Sequence, residues 1–392
     1  MNTLEDRIRA ATRAIAGTVP PDSAPPLHLP SQPRRLGRRA RPGRRWAPWL
    51  TPAAAALAVA AVVLGSLALT RGTRPGPPGA TGALPGGLPR YYAALVQEPS
   101  GPWWAQLRNT TTGAVLATVR PPIPFTRFSE VAAGGDDHTF VLAAIGPQGQ
   151  PSITRLYALR LDPATRAVRL SPLPIPVEPD RWRVNGLALT PDGTRLAVAL
   201  EPPGGQRPRL QLFSMATGAL IREWGVNARH APVVGLLSWA PDGRTLAWSY
   251  PVHGNGAALL DVTRPGSNLL GSSRIVQIPS WAQLTSGLVL ADGGRQMTGA
   301  AYIWGGANRD PSGWMVAGFS ARTGKPTRVF YRRAFRPGQY INPGTVWWAS
   351  PSGKVVIASP AAHGHGYPGL AVFTGHRYIP LPWSGWIREA AW

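Results

Sequence analysis

The chain has 392 residues, no cysteine, and 41 basic against 18 acidic side chains, for a formal charge of +23. This length suffices for a large core, and the absence of cysteine excludes disulfides and thiolate-held zinc. It leaves the compartment open, since a well-closed β architecture needs no covalent staples.

Residues 4–17 predict a short helix. Thr3 with Asp6 forms a variant capping box, and Glu5 and Asp6 suit the positive end of the helix dipole. Leu4, Ile8, Ala11 and Ile15 recur at helical spacing as one narrow apolar stripe, and Pro20-Pro21 ends the element. A lone helix this short is marginal in water. The stripe therefore implies a partner helix or protein, a membrane surface, or transient order only.

An arginine block follows: Arg34, Arg35, Arg38, Arg39, Arg41, Arg44 and Arg45. Residues 46–70 then carry no charge. At about 1.5 Å per residue, roughly twenty such residues cross the hydrocarbon. Only Arg71 and Arg74 follow closely, so the bias of seven arginines to two puts the N-terminus in the cytosol and the rest outside. Trp46 and Trp49 suit the interfacial belt, and the arginines suit anionic lipid headgroups at about 1 kcal/mol each. A cleaved export signal is the rival reading, with Arg44-Arg45 as a twin-arginine pair and Ser66-Leu67-Ala68 as the cleavage site. Pro48 and Trp49 break the apolar run such a signal needs, and the lead-in is long, so an uncleaved anchor is expected. Residues 71–89 hold six Gly and five Pro and read as a flexible tether, averaging on the order of 25 Å end to end.

From residue 90 onward two kinds of tight turn alternate. One is Pro-Asp-Gly or a relative: Pro191-Asp192-Gly193, Pro241-Asp242-Gly243 and Pro351-Ser352-Gly353, with weaker forms at Asp136-Asp137 and Ser286-Gly287. The other is Thr-Gly or a relative, at Thr112-Gly113, Thr165-Arg166, Thr217-Gly218, Pro265-Gly266, Thr323-Gly324 and Thr374-Gly375. The second series repeats about every fifty residues, and a turn of the first kind falls in every gap. Apolar runs such as Leu196-Ala197-Val198-Ala199-Leu200 flank the turns and read as strands. Two hairpin turns per repeat mean small antiparallel sheets. The predicted fold is all-β, a six-bladed propeller of four-stranded antiparallel blades. The Asp of each Pro-Asp-Gly is expected to accept N–H bonds inside its own turn rather than to act as a catalytic carboxylate.

The last segment, Trp386 to Trp392, matches a strand that precedes a Pro-Asp-Gly turn, yet the chain stops there. Tyr91-Tyr92-Ala93-Ala94-Leu95-Val96 supplies the missing partner, so both ends of the domain are expected to share one blade. Closure of that kind hides two sheet edges.

The phrases Leu189-Thr190-Pro191-Asp192-Gly193-Thr194-Arg195-Leu196-Ala197 and Trp239-Ala240-Pro241-Asp242-Gly243-Arg244-Thr245-Leu246-Ala247-Trp248 resemble the TolB-type propeller repeats, relatives of the WD-repeat proteins. The resemblance covers about residues 90–392. It implies a periplasmic or cell-surface interaction platform, and some members of that class precede peptidase domains. The Arg-to-Lys ratio of 39 to 2 resembles that of high-GC actinobacterial proteins. The N-terminal organisation is similar to the cytosolic end of actinobacterial membrane proteins that accompany sigma factors, which implies an anti-sigma-like regulator acting through residues 1–30. The His-Cys-Cys zinc signature of many such regulators is absent.

No catalytic, metal-binding or cofactor residue is assigned. His363-Gly364-His365 is a close histidine pair, but it lacks the neighbouring carboxylate a metal set requires. No Gly-x-Ser-x-Gly, P-loop or His-Glu-x-x-His stretch occurs. Arg332, Arg333 and Arg336, set among Phe330, Tyr331 and Phe335 in the connection after the fifth blade, form a candidate polyanion site. With the first 75 residues set aside, 29 basic against 15 acidic side chains leave +14 on the exterior domain. The polyanions expected outside a cell are lipid headgroups or cell-wall polymers, not nucleic acid. Trp103-Trp104 and Trp347-Trp348 suggest a sugar platform, but strand neighbours face opposite sides, so blade core is expected for at least one of each pair.

The sequence thus predicts a basic cytosolic tail (1–45), a transmembrane helix (46–70), a linker (71–89) and an extracytoplasmic propeller (90–392). The propeller is expected to bind, sense or scaffold through a protein or cell-wall partner. A hydrolase or lyase using the channel mouth is the alternative, which a cluster of carboxylate and histidine side chains at the channel end would favour.

Overall fold

The computed structural model describes residues 84–392 apart from 98–100, 148–152, 178–181, 203–207, 227–234, 251–254, 305–310, 336–343, 360–368, 376 and 384–385. The predicted helix with Leu4, Ile8, Ala11 and Ile15, the seven arginines of the tail, the span 46–70, Arg336 and the pair His363/His365 lie outside the described residues. Among the described residues no helix is long and apolar enough to cross a membrane.

The described chain is a ring of six four-stranded antiparallel sheets. Blade 1 holds β1 (Tyr91–Gln97), β2 (Trp103–Asn109) and β3 (Val115–Val119). Blade 2 holds β4 (Arg127–Ala133), β5 (Thr139–Ile145), β6 (Thr154–Leu161) and β7 (Val168–Pro172). Blade 3 holds β8 (Arg183–Leu189), β9 (Arg195–Glu201), β10 (Arg209–Ser214) and β11 (Leu220–Gly225). Blade 4 holds β12 (Ser238–Trp239), β13 (Thr245–Tyr250), β14 (Gly256–Asp261) and β15 (Ser273–Gln277). Blade 5 holds β16 (Ala282–Ala291), β17 (Gln296–Trp304), β18 (Pro311–Ser320) and β19 (Pro326–Ala334). Blade 6 holds β20 (Val346–Ala349), β21 (Val355–Ala358), β22 (Ala371–Thr374) and β23 (Arg377–Pro380), after which β24 (Trp386–Ala391) returns to blade 1. The order β24-β1-β2-β3 closes the ring, with Ala93 opposite Ala391 and Leu95 opposite Glu389, as the unpaired C-terminal strand implied.

The turns act as the sequence suggested. Gly193 and Gly243 donate to the carbonyls of Thr190 and Ala240, 2.8 and 2.9 Å away. Asp192 and Asp242 accept the N–H of Thr194 and Arg244 at 3.0 and 2.8 Å. In the second series, Gly113 and Gly218 have positive φ, and a Cβ at either would strike the carbonyl oxygen of Pro382 or Pro174 on the neighbouring blade. Glycine there serves both the turn and the close approach.

One turn differs from expectation. Ser286-Gly287 is not the first turn of blade 5. It lies inside β16, where the pairing jumps from Leu284–Ala301 to Leu288–Gly299, so the residues between them form a bulge. The reversal occurs later, at Asp292-Gly293-Gly294, where all three residues have positive φ.

Both faces of every blade are covered. In β1, Tyr91, Ala93 and Leu95 pack toward blade 2, while Tyr92, Ala94 and Val96 pack toward blade 6. This is why the strands read as continuous apolar runs rather than half-polar ones. Turn-to-turn bonds reinforce the contacts: Gly135 donates to Pro191 O at 3.0 Å and Asp292 to Pro351 O at 2.8 Å. At the closure, Trp392 stacks on Tyr92 with centroids 4.6 Å apart, and its Nε1 donates to Thr110 Oγ1 at 3.2 Å.

Trp392→Ala should therefore destabilise the ring by about 3–5 kcal/mol, the usual cost of truncating a buried large aromatic. Removal of residues 384–392 should abolish cooperative unfolding. Thermal denaturation followed by near-ultraviolet circular dichroism checks both, and an unchanged melting point for the truncation would refute the closure.

Candidate functional site

The innermost strands, β4, β8, β12, β16, β20 and β24, surround a central cavity of about 600 Å³. One end is framed by the first-series turns, through Gly134 to Asp137, Pro191, Pro241 and Pro351. Gly87, Leu88 and Pro89 also line it, and Leu84 and Leu88 pack on the core shared by blades 6 and 1.

The ring has a sixfold register. Ala133, Leu189, Trp239, Ala349 and Ala391 each form the last pair before the turn or chain end, with Phe140, Leu196, Leu246, Val356 and Ala93, and in β16 Leu290 takes the corresponding place, paired with Met297 one step before the last pair Ala291–Gln296. Two residues earlier stand Val131, Leu187, Leu237, Leu288, Trp347 and Glu389, all lining the cavity. Five blades present an apolar side chain at that level, and blade 1 presents a carboxyl group.

Glu389 is buried and meets a second buried acid, Glu130 of β4. The two share a side-chain hydrogen bond, and the Val131 N–H donates to Glu389. Burial, then the charge of Glu130, raises Glu389 well above the ordinary carboxylate range. Burial pushes Glu130 up to about 7, against the pull of Arg388 and the hydrogen bond from Glu389. Near neutral pH Glu389 keeps its proton and donates it to Glu130, so the pair holds at most one negative charge. Two carboxylates in contact in a poorly solvated site cannot both ionise cheaply.

Beyond this pair lie three arginines from three blades. Burial, then the positive charges of Arg388 and Arg183, lowers the pKa of Arg127, although an arginine remains protonated. Arg388 is the bulged residue of β24, between the pairs Leu95–Glu389 and Val96–Ile387. The corresponding break in β4 leaves Ser129 unpaired just before Glu130. Both inner strands are therefore bulged beside the pair, where the regular side-chain alternation is broken.

The predicted site residues fare differently. Arg332 and Arg333 do not lie in a connection. They are exposed on β19, the outermost strand of blade 5, opposite Met315 and Trp314. Trp347 and Trp348 both line the cavity, because a bulge between Val346 and Trp348 breaks the strict alternation assumed for a strand. Trp103 and Trp104 behave as expected for blade residues, each half-buried and covered by a guanidinium, Arg388 at 5.7 Å and Arg120 at 4.2 Å from the ring centroids. His138 follows the lining residues Asp136 and Asp137, its Nε2 3.3 Å from the Asp136 carboxylate, and does not join the glutamate pair. Among the described residues no three His, Asp or Glu side chains group as metal ligands.

No protein-family model and no curated protein matches the chain. Solved structures similar to it include propellers at low identity. A TolB candidate from Agrobacterium tumefaciens is 13% identical, with 76% of this chain and 90% of that one covered, at a TM-score of 0.43. The Dos1 propeller is 13% identical over 73% of this chain and 67% of its own, at 0.40. The propeller domain of the Trilobed protease from Pyrococcus furiosus is 11% identical over 65% and 71%, at 0.37. This chain is a six-bladed β-propeller with TolB-like structural neighbours.

The glutamate pair gives stability a defined pH dependence. Glu130 binds its proton more tightly folded than unfolded, so its contribution is complete below the unfolded value near 4.5 and is lost as pH rises to about 7. The size is on the order of 3 kcal/mol. The turn acids Asp162 and Asp192 have lowered pKa values, chiefly from the hydroxyls of Thr165 and Thr190, and act only in the more acidic range. The melting temperature should fall from pH 5 to pH 8, and Glu130→Gln should reduce that slope while leaving the part that the burial of Glu389 supplies. An equal slope in the variant would disprove the shared proton.

Proposed function

We propose that this chain is a membrane-anchored binding module, with the central channel as its ligand site and the propeller outside the cell. One observation carries the reading: all six inner strands converge on a single cavity whose size lies within the roughly 300–1,000 Å³ of small-ligand sites. The uncharged stretch 46–70 and the arginine asymmetry around it support the anchor and its orientation. Residues 1–45, with the stripe Leu4, Ile8, Ala11 and Ile15, then face the cytosol and offer a protein partner a helical surface.

The glutamate pair motivates the second reading, a hydrolase or lyase. Two-carboxylate glycoside hydrolysis needs the groups about 5–9.5 Å apart, with substrate between them. Here they are hydrogen-bonded to each other, and Glu389 but not Glu130 lines the cavity. This arrangement does not fit two-carboxylate glycoside hydrolysis.

Arg332 and Arg333, exposed on β19, offer a separate surface suited to polyanions such as lipid headgroups or cell-wall polymers, and Arg336 follows them in sequence outside the described residues. Charge on an outer strand also guards a sheet edge against pairing. Reversal of all three to Glu keeps the edge charged, so a loss of cell-wall polymer binding in a pull-down would report on sign alone. Unchanged binding would leave edge protection as their role.

The membrane reading is tested on the full chain in cells. The protein should sediment with membranes until residues 46–70 are deleted, and external protease should remove a tag placed after Trp392. A tag protected from protease in intact cells would reverse the proposed orientation.

A further inference from the structure

The charge around the cavity opposes that of the domain. The chain from residue 76 onward carries +14, by the 29 basic and 15 acidic residues counted above, yet among the described residues the ionisable side chains lining the cavity are Asp136, Asp137 and Glu389, with no Arg, Lys or His. Trp239, Trp347, Trp348 and Trp392 line it too, beside Leu187, Leu189, Leu288 and Leu290. Indole faces and a carboxyl group in a confined apolar space attract a positive charge and reject a negative one.

We propose that the channel binds an organic cation, a primary ammonium group on an apolar body, with its head at Glu389 and its body against the tryptophans. This rests on the channel being the ligand site. A short aliphatic or aromatic amine and the free amino end of an apolar peptide share the chemistry.

The glutamate pair supplies a switch for such a ligand. An ammonium group arriving at Glu389 replaces the shared proton as the partner of the second carboxylate, so binding releases a proton to water. The groups acting on Glu389 are Glu130 and the Val131 N–H on β4 and Arg388 on its own strand, and Arg388 together with Arg183 at the start of β8 acts in turn on Arg127 of β4. Strand β20 brings Val346 to Ala349, none of which titrates. At the mouth, Asp136 and Asp137 face His138. Burial pushes Glu130 up to about 7, so the number of protons released on binding changes around that pH.

Calorimetric titration of the full-length protein with n-hexylammonium, hexanol and hexanoate tests the idea. Hexylammonium should bind at least about tenfold more tightly than the other two, a difference of about 1.4 kcal/mol. Its affinity should rise with pH, more steeply below about 7, where Glu130 also gives up a proton, than above it, with proton release visible as a dependence of the heat on buffer ionisation. Glu389→Gln, which mimics the protonated side chain, should remove the preference for ammonium and leave hexanol binding unchanged. Hexanoate binding as tightly as hexylammonium overturns the cation assignment while keeping the channel as a binding site. If none of the three probes binds, both the cation assignment and the channel reading fall. The probe comparison uses the unchanged protein, so it stands even if the variant misfolds. Leucyl-leucinamide with a free or an acetylated amino end then separates the two sources, and tighter binding of the free form marks the peptide.

Discussion

Every blade depends on having a neighbour on both sides. A four-stranded sheet with apolar residues on both faces cannot stand alone in water, and in this ring each face meets the next blade in one of six apolar clusters. A gap anywhere would expose two such faces at once. The pairing of β24 with β1 therefore does more than add a strand: it makes the cluster between blades 6 and 1, built on Tyr92, Ile357, Ile387 and Trp392, equivalent to the other five.

The same geometry explains why a pair of acids can be buried at the axis. Inner strands converge there, and side chains from adjacent blades approach closely whatever their separation in sequence. Glu130 and Glu389 would each cost several kcal/mol if ionised and unpaired. Sharing a proton, accepting the Val131 N–H and lying near Arg388 reduce that cost without neutralising the site. The turn ends of the blades set the shape of the ring, while the inner positions are free to carry chemistry.

Much of this fold was legible in the sequence because its signals are local. Gly193, Gly243 and Gly353 mark hairpins by their own backbone demands, and the strand Trp386–Ala391 announced its missing partner by lacking a turn. Ser286-Gly287 misled for the same reason: a glycine in a bulge and a glycine in a turn both serve positive φ, and local sequence does not separate them. The bulge at Trp347 likewise defeats a strict two-residue alternation. The glutamate pair was not read at all. One signal was present, since Arg388-Glu389 places charge where the other inner strands keep Leu187, Leu237 and Leu288, but its partner Glu130 is brought in by topology rather than by spacing.

That single departure from an otherwise apolar level decides what the channel can do. Six equivalent positions filled by leucine and tryptophan alone would give a greasy cavity that admits any hydrophobic molecule with little discrimination. One carboxyl group among them, backed by a second that holds it protonated, makes the cavity apolar in the absence of a cation and acidic in its presence. The exterior is basic, so a cation is repelled by the surface and rewarded only at the axis, where water is excluded and the attraction is strongest. Affinity and selectivity then come from different parts of the ring: the tryptophans hold the body of a ligand, and the glutamates judge its charge.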